Sequence, residues 1–142
     1  MESIYFKREL EDGGVLLCPC GCGAKPSKEV VEKLDEVRSI YGKPIYIEQG
    51  ATCEFYSVGV VGRKTTSTHI DKGQGAEAVD IKRKTFKKKE DYFTFLAIAI
   101  NAGFTGFGQG SFWIGAGSDK RLHIDTKKSE SNDIRSWCYG VA

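Results

Sequence analysis

The chain contains only two histidines, and both stand near an aspartate. His69 lies in "STHIDKGQGAEAVDI", residues 67–81, eleven residues before Asp80. His123 lies in "RLHIDT", residues 121–126, two residues before Asp125. Zinc takes imidazole nitrogens and carboxylate oxygens, and a catalytic site uses three protein ligands while one position stays open. His69, Asp80 and His123 supply two nitrogens and one oxygen. Side chains alternate across a strand, so His123 and Asp125 point the same way. That places Asp125 near a metal or its water, as an orienting partner or as a general base. The same spacing also fits two ordinary strand histidines, so the surrounding elements have to decide.

Those elements are well signalled in part. Residues 1–25 read as an irregular N-terminal arm that ends in a Cys/Gly-rich loop. "PSKEVVEKLDEVRSIYG" is a helix: Ser27 caps it, Val30, Leu34, Val37 and Tyr41 share one face, and Gly42 ends it. "PIYIEQG" is a short strand, residues 51–66 a long loop, and "EAVDIKR" a second strand. "KKKEDYFTFLAIAINAG" is a second helix whose apolar residues on several faces predict a buried element. "FTGFGQG", "SFWIGAG" and "RLHIDT" follow as short strands separated by glycine turns. The expected fold is a single α+β domain over residues 1–142, with a mainly antiparallel sheet and two principal helices.

Taken together, "S-T-H", "E-A-V-D-I" and "L-H-I-D-T" resemble the Ser-x-His…Gly-x-Ala-x-Asp and His-x-Asp signatures of the zinc D-Ala-D-Ala carboxypeptidase family. The resemblance is to the phage-type peptidoglycan peptidase branch, whose fold is shared with the hedgehog signalling domain. It extends to the Cys/Gly-rich start, the helix ending "R-x-x-x-G-x-P-I", the cysteine and glycine loop after the next strand, and the closing "RSWCYG". It covers the chain from about residue 15 onward. The resemblance implies zinc as cofactor, with His69, Asp80 and His123 as ligands. It implies Ser67 as a residue that holds substrate or orders the loop, and bacterial peptidoglycan peptides as substrate. It further implies a phage or prophage product acting at the cell wall after lysis or as a virion component.

The chain departs from that family in three places. The histidine-to-aspartate gap is eleven residues rather than the family's seven; by loop-closure entropy this adds only about 0.4 kcal/mol. Thr52, in "QGAT", stands where the family commonly has an arginine that stabilises negative charge at the reacting centre. Arg63, Lys64 and Arg121 are the candidates to replace it. An acid found three residues before the last histidine in some members is here Lys120, with Asp119 one step off, which makes Asp125 the preferred base. The loss of the arginine leaves a second reading open, a zinc-bearing structural or binding module without peptidase activity.

Bulk properties narrow the remaining choices. With 142 residues, 40% apolar and 28% charged, the chain can bury a core as one soluble domain. A net charge of +2 tolerates an anionic partner without demanding nucleic acid. The N-terminus lacks the apolar run of a signal peptide, and no stretch reaches the roughly 20 apolar residues of a membrane span. Synthesis in the cytoplasm is therefore expected, with no membrane partner. "IKRKTFKKKE" holds six basic residues between 82 and 89 and reads as a solvated turn before the second helix. Phe104, Phe107, Phe112 and Trp113 are expected to pack the sheet. Cys18, Cys20 and Cys22 are spaced too closely for a usual zinc knuckle. Packing or turn roles are expected for the cysteines, with a second metal site or a disulfide involving Cys53 as the alternatives.

Overall fold

A computed structural model describes residues 3–6, 16–109, 121–128 and 133–138. Two α-helices, α1 (Lys28–Tyr41) and α2 (Lys89–Ala102), accompany a five-stranded sheet. Its strands are β1 (Ile47–Gln49), β2 (Ala78–Lys82), β3 (Gly106–Gln109), β4 (Arg121–Asp125) and β5 (Arg135–Cys138), in the order β1-β2-β4-β3-β5. Every pairing is antiparallel except that of β3 with β5, so the sheet is mixed and mainly antiparallel.

Helix α1 forms where its signals lie. The Ser27 side chain accepts the Val30 amide at 3.1 Å, and Gly42 closes the helix in the left-handed region. Val30, Leu34, Val37 and Tyr41 are buried against α2 and the sheet. Helix α2 is buried on one face only, through Tyr92, Phe95 and Ala99, while Phe93 and Ile100 face solvent. The element expected to be buried is thus buried along one face and exposed along the other. Tyr41, Phe86, Tyr92 and Phe95 meet edge to face at 5.1–5.4 Å between ring centroids, closing the layer between the helices.

Alternation along the strands divides the sheet. Val79 and Ile81 of β2 and Leu122 and Ile124 of β4 enter the helix-side core. Their neighbours Asp80, His123 and Asp125 therefore face the other way. The register pairs Asp80 directly with His123. Phe104 and Phe107 pack in the core as expected, and the basic residues at 83, 84 and 87–89 are exposed. Phe112, Trp113, the strand expected over "SFWIGAG" and the acid Asp119 lie outside the described residues.

Two elements differ from the expected layout. The segment expected as a loop contains a π-helical stretch, Phe55–Val61, that leaves Phe55 76% exposed. Its residues "FYSVGVV" carry β-branched side chains and a glycine, and they bury only Ser57, so no apolar stripe announces a helix. Strand β5 is the second, and it joins the sheet edge by parallel pairing with β3.

Candidate metal centre

The sheet face away from the helices carries two of the candidate ligands, and the 52–77 segment folds across it to bring the third. Thr52 pairs with Ile70 in an isolated bridge. The Thr52 amide donates to the His69 carbonyl at 2.8 Å, and its hydroxyl donates to the same oxygen at 3.2 Å. The Ser67 hydroxyl accepts the His69 amide at 3.2 Å. Ser67 thus orders the loop that presents His69, and it also lines the adjoining cavity. Thr52 is fully buried behind the histidine, where it serves as a backbone anchor.

His69, Asp80 and His123 converge. His69 Nε2 lies 3.0 Å from Asp80 Oδ1 and 3.2 Å from His123 Nδ1, and His123 Nδ1 lies 3.1 Å from the same carboxylate oxygen. All three side chains are buried.

The outer ring atoms decide the protonation of the inner ones. His69 Nδ1 lies 3.0 Å from the Gly50 carbonyl, which can only accept, so Nδ1 carries the proton. His123 Nε2 lies 2.8 Å from Asp125 Oδ2 and donates to it. In their neutral forms both imidazoles therefore aim a lone pair at Asp80 Oδ1, which brings lone pairs of its own. Three electron-rich atoms about 3 Å apart repel unless a cation sits among them. This donor set can hold a metal ion.

Protonation is the metal-free alternative. Burial pushes the His123 imidazole down, but its bonds to Asp125 and Asp80 outweigh that and raise it to about 9. Burial likewise pushes Asp80 up, yet the charge of His69 and the hydrogen bonds from both histidines hold it well below the usual carboxylate range.

Asp125 sits behind His123 with no exposed surface. Its second oxygen takes the Arg135 guanidinium in a close pair and the Lys127 amide at 3.0 Å. Strand β3 passes so near that a Cβ at Gly106 would overlap both the Asp125 carboxylate and the Arg135 guanidinium, which explains a glycine at the start of that strand. Both oxygens of Asp125 are occupied, and of its two expected roles these contacts favour orienting His123.

Above the cluster opens a cavity of about 540 Å³. Five basic side chains line it, Arg63, Lys64, Arg121, Lys127 and Arg135, while its only described acids are Asp80 and Asp125. Arg63 and Arg121 each approach Asp80 Oδ2 at 3.5 Å. Arg63 also makes a close hydrogen bond to Gln49. The Trp137 ring tilts over His123 at 5.3 Å. Arg135 and Trp137 escape the sequence reading of single residues, since β5 carries no chemical motif of its own; only the likeness of "RSWCYG" pointed to that stretch. No family model, curated protein or solved structure matches the chain.

Proposed function

We propose that the chain is a zinc-dependent peptidase that hydrolyses peptide bonds of bacterial peptidoglycan, in a fold of the hedgehog and D-Ala-D-Ala peptidase type, encoded by a phage or prophage. The observation that carries the reading is the convergence of His69 Nε2, His123 Nδ1 and Asp80 Oδ1 at 3.0–3.2 Å on the floor of a cationic cavity. Ligands about 2.0–2.1 Å from a tetrahedral zinc lie about 3.3 Å from one another, close to these separations. Three protein donors leave one position of a tetrahedron for water or substrate.

Held by His69, Asp80 and His123, a zinc ion would supply Lewis acidity toward a carbonyl and a water activated at neutral pH. The chain's own residues perform the positioning. The Gly50 carbonyl and Asp125 fix the two imidazole tautomers. Arg63 and Arg121 place positive charge beside the cluster, where negative charge develops on a carbonyl oxygen during amide hydrolysis. The basic rim suits peptides that carry free carboxylates, as wall stem peptides do. Asp125 orients His123, and Asp119 is the alternative acid for proton transfer.

Two observations favour a second reading, a zinc-bearing binding module without activity. Thr52 is buried as a backbone anchor, and both oxygens of Asp125 are engaged. Digestion of purified walls of several stem-peptide types by the zinc-loaded protein separates the two. New amino groups and shortened muropeptides are expected for the peptidase. Full zinc occupancy with no fragment from any wall type would establish the binding module instead.

A further inference from the structure

The second cluster of metal-ligating side chains lies outside the cavity, where the N-terminal loop meets the start of the 52–77 segment. Cys18, Cys20, Cys22 and Cys53 bring their sulfurs within 4.8 Å of one another. Cys18 Sγ lies 3.4 Å from Cys20 Sγ and 3.8 Å from Cys53 Sγ, and Cys20 Sγ lies 3.7 Å from Cys53 Sγ. We propose that these four cysteines form a second, structural zinc site, distinct from the His69 cluster.

The spacing carries the argument. Thiolates about 2.3 Å from a tetrahedral zinc lie about 3.8 Å apart, close to the 3.4–3.8 Å separations among Cys18, Cys20 and Cys53, and the Cys22 sulfur lies within 4.8 Å of all three. Pairwise disulfides would draw two sulfurs together and leave the others apart, whereas one central ion gives near-equal spacing. The loop is built to face the sulfurs inward. Gly21 and Gly23 adopt φ of 83° and 91°, which reverse the chain on either side of Cys22. Backbone amides point at the sulfurs: Cys53 at Cys18 Sγ and Tyr56 at Cys53 Sγ, each at 3.4 Å, and Ala24 at Cys22 Sγ at 3.5 Å. Such N–H donors stabilise thiolate ligands and fix their direction. Four donors complete a tetrahedron, so the site is closed and structural rather than catalytic.

Its position gives it a task. Cys53 follows the Gly50–Thr52 strap, whose Gly50 carbonyl receives His69 Nδ1 and whose Thr52 amide holds the His69 carbonyl. The Ala51 amide donates to Leu16 at 2.8 Å, tying the strap to the chain just before Cys18. Zinc at the four cysteines clamps this strap from the far side and thereby fixes His69.

Cobalt substitution of the whole chain tests the proposal without reference to peptide cleavage. The cobalt-loaded wild type should show the intense near-ultraviolet sulfur-to-cobalt charge-transfer band of a tetrahedral thiolate site, and metal analysis should give about two zinc ions per chain, one per cluster. The His69→Ala/His123→Ala double variant should keep the band and about one zinc. Cys20→Ser should lose the band. A wild-type protein that takes up cobalt without the band, or whose cluster cysteines titrate as disulfides after purification without reductant, would overturn the site. Because the band is read in the wild type, a Cys20→Ser variant that fails to fold leaves the test intact.

Discussion

The two clusters differ in what they enclose. The His69–Asp80–His123 cluster offers three buried donors beneath an open cavity, two on strands and His69 on the loop that crosses them, oriented from behind by Gly50 and Asp125. The cysteine cluster offers four donors on a loop, oriented by backbone amides. Three donors leave room for chemistry and four do not. The difference teaches that position matters as much as donor type: the strap between the clusters makes the closed site a support for the open one.

Removing a ligand separates the two most sharply. His69→Ala or His123→Ala should abolish zinc at the open site and reduce wall hydrolysis to background, with the thiolate site still loaded by metal analysis. A helix-side change should act on both sites alike. Phe95→Ala, in the core, should destabilise the fold by about 3–5 kcal/mol in denaturant unfolding, with metal stoichiometry unchanged in the folded fraction.

Asp125→Asn comes next in size. It removes the charge that orients His123 and pairs with Arg135, and zinc affinity at the open site should fall about 10–100-fold by competition with a chelator. An unchanged affinity with lost turnover would return Asp125 to the role of base. Arg63→Ala/Lys64→Ala should lower turnover by more than it weakens zinc binding, measured on the same preparations.

Acidity sharpens the contrast further. In the metal-free protein His123 is raised to about 9, above its ordinary value near 6.5. Its stabilising contribution is therefore full below about pH 6.5 and is lost as pH rises through about 9. Asp80 is depressed, so its contribution is present above about pH 4 and is lost as pH falls through its lowered value. Metal uptake displaces the His123 proton, so zinc affinity should instead rise with pH. Thermal unfolding and chelator competition between pH 6 and 9 should give slopes of opposite sign for metal-free stability and zinc affinity.

Much of the fold is legible in the sequence because its signals are local. The Ser27 cap, the Val30–Leu34–Val37–Tyr41 face and Gly42 mark α1, and alternation in "RLHID" puts His123 and Asp125 on one face. What alternation cannot give is the side of the imidazole that Asp125 meets, since that depends on the ring's rotation and on Arg135 arriving from β5. The π-helical stretch is hidden because it exposes most of its side chains and so leaves no stripe. The cysteine cluster is legible only as one alternative, a second metal site beside a disulfide involving Cys53, because Cys53 comes from a distant segment and the close C-x-C spacing depends on the turns at Gly21 and Gly23.

X-ray absorption at the zinc edge reads both clusters in the wild type at once. The account predicts a nitrogen and oxygen shell at about 2.0 Å with imidazole outer scattering, beside a sulfur shell at about 2.3 Å. In the His69→Ala/His123→Ala variant the sulfur shell should remain alone. A wild-type spectrum with sulfur neighbours only would contradict a metal centre at His69, Asp80 and His123.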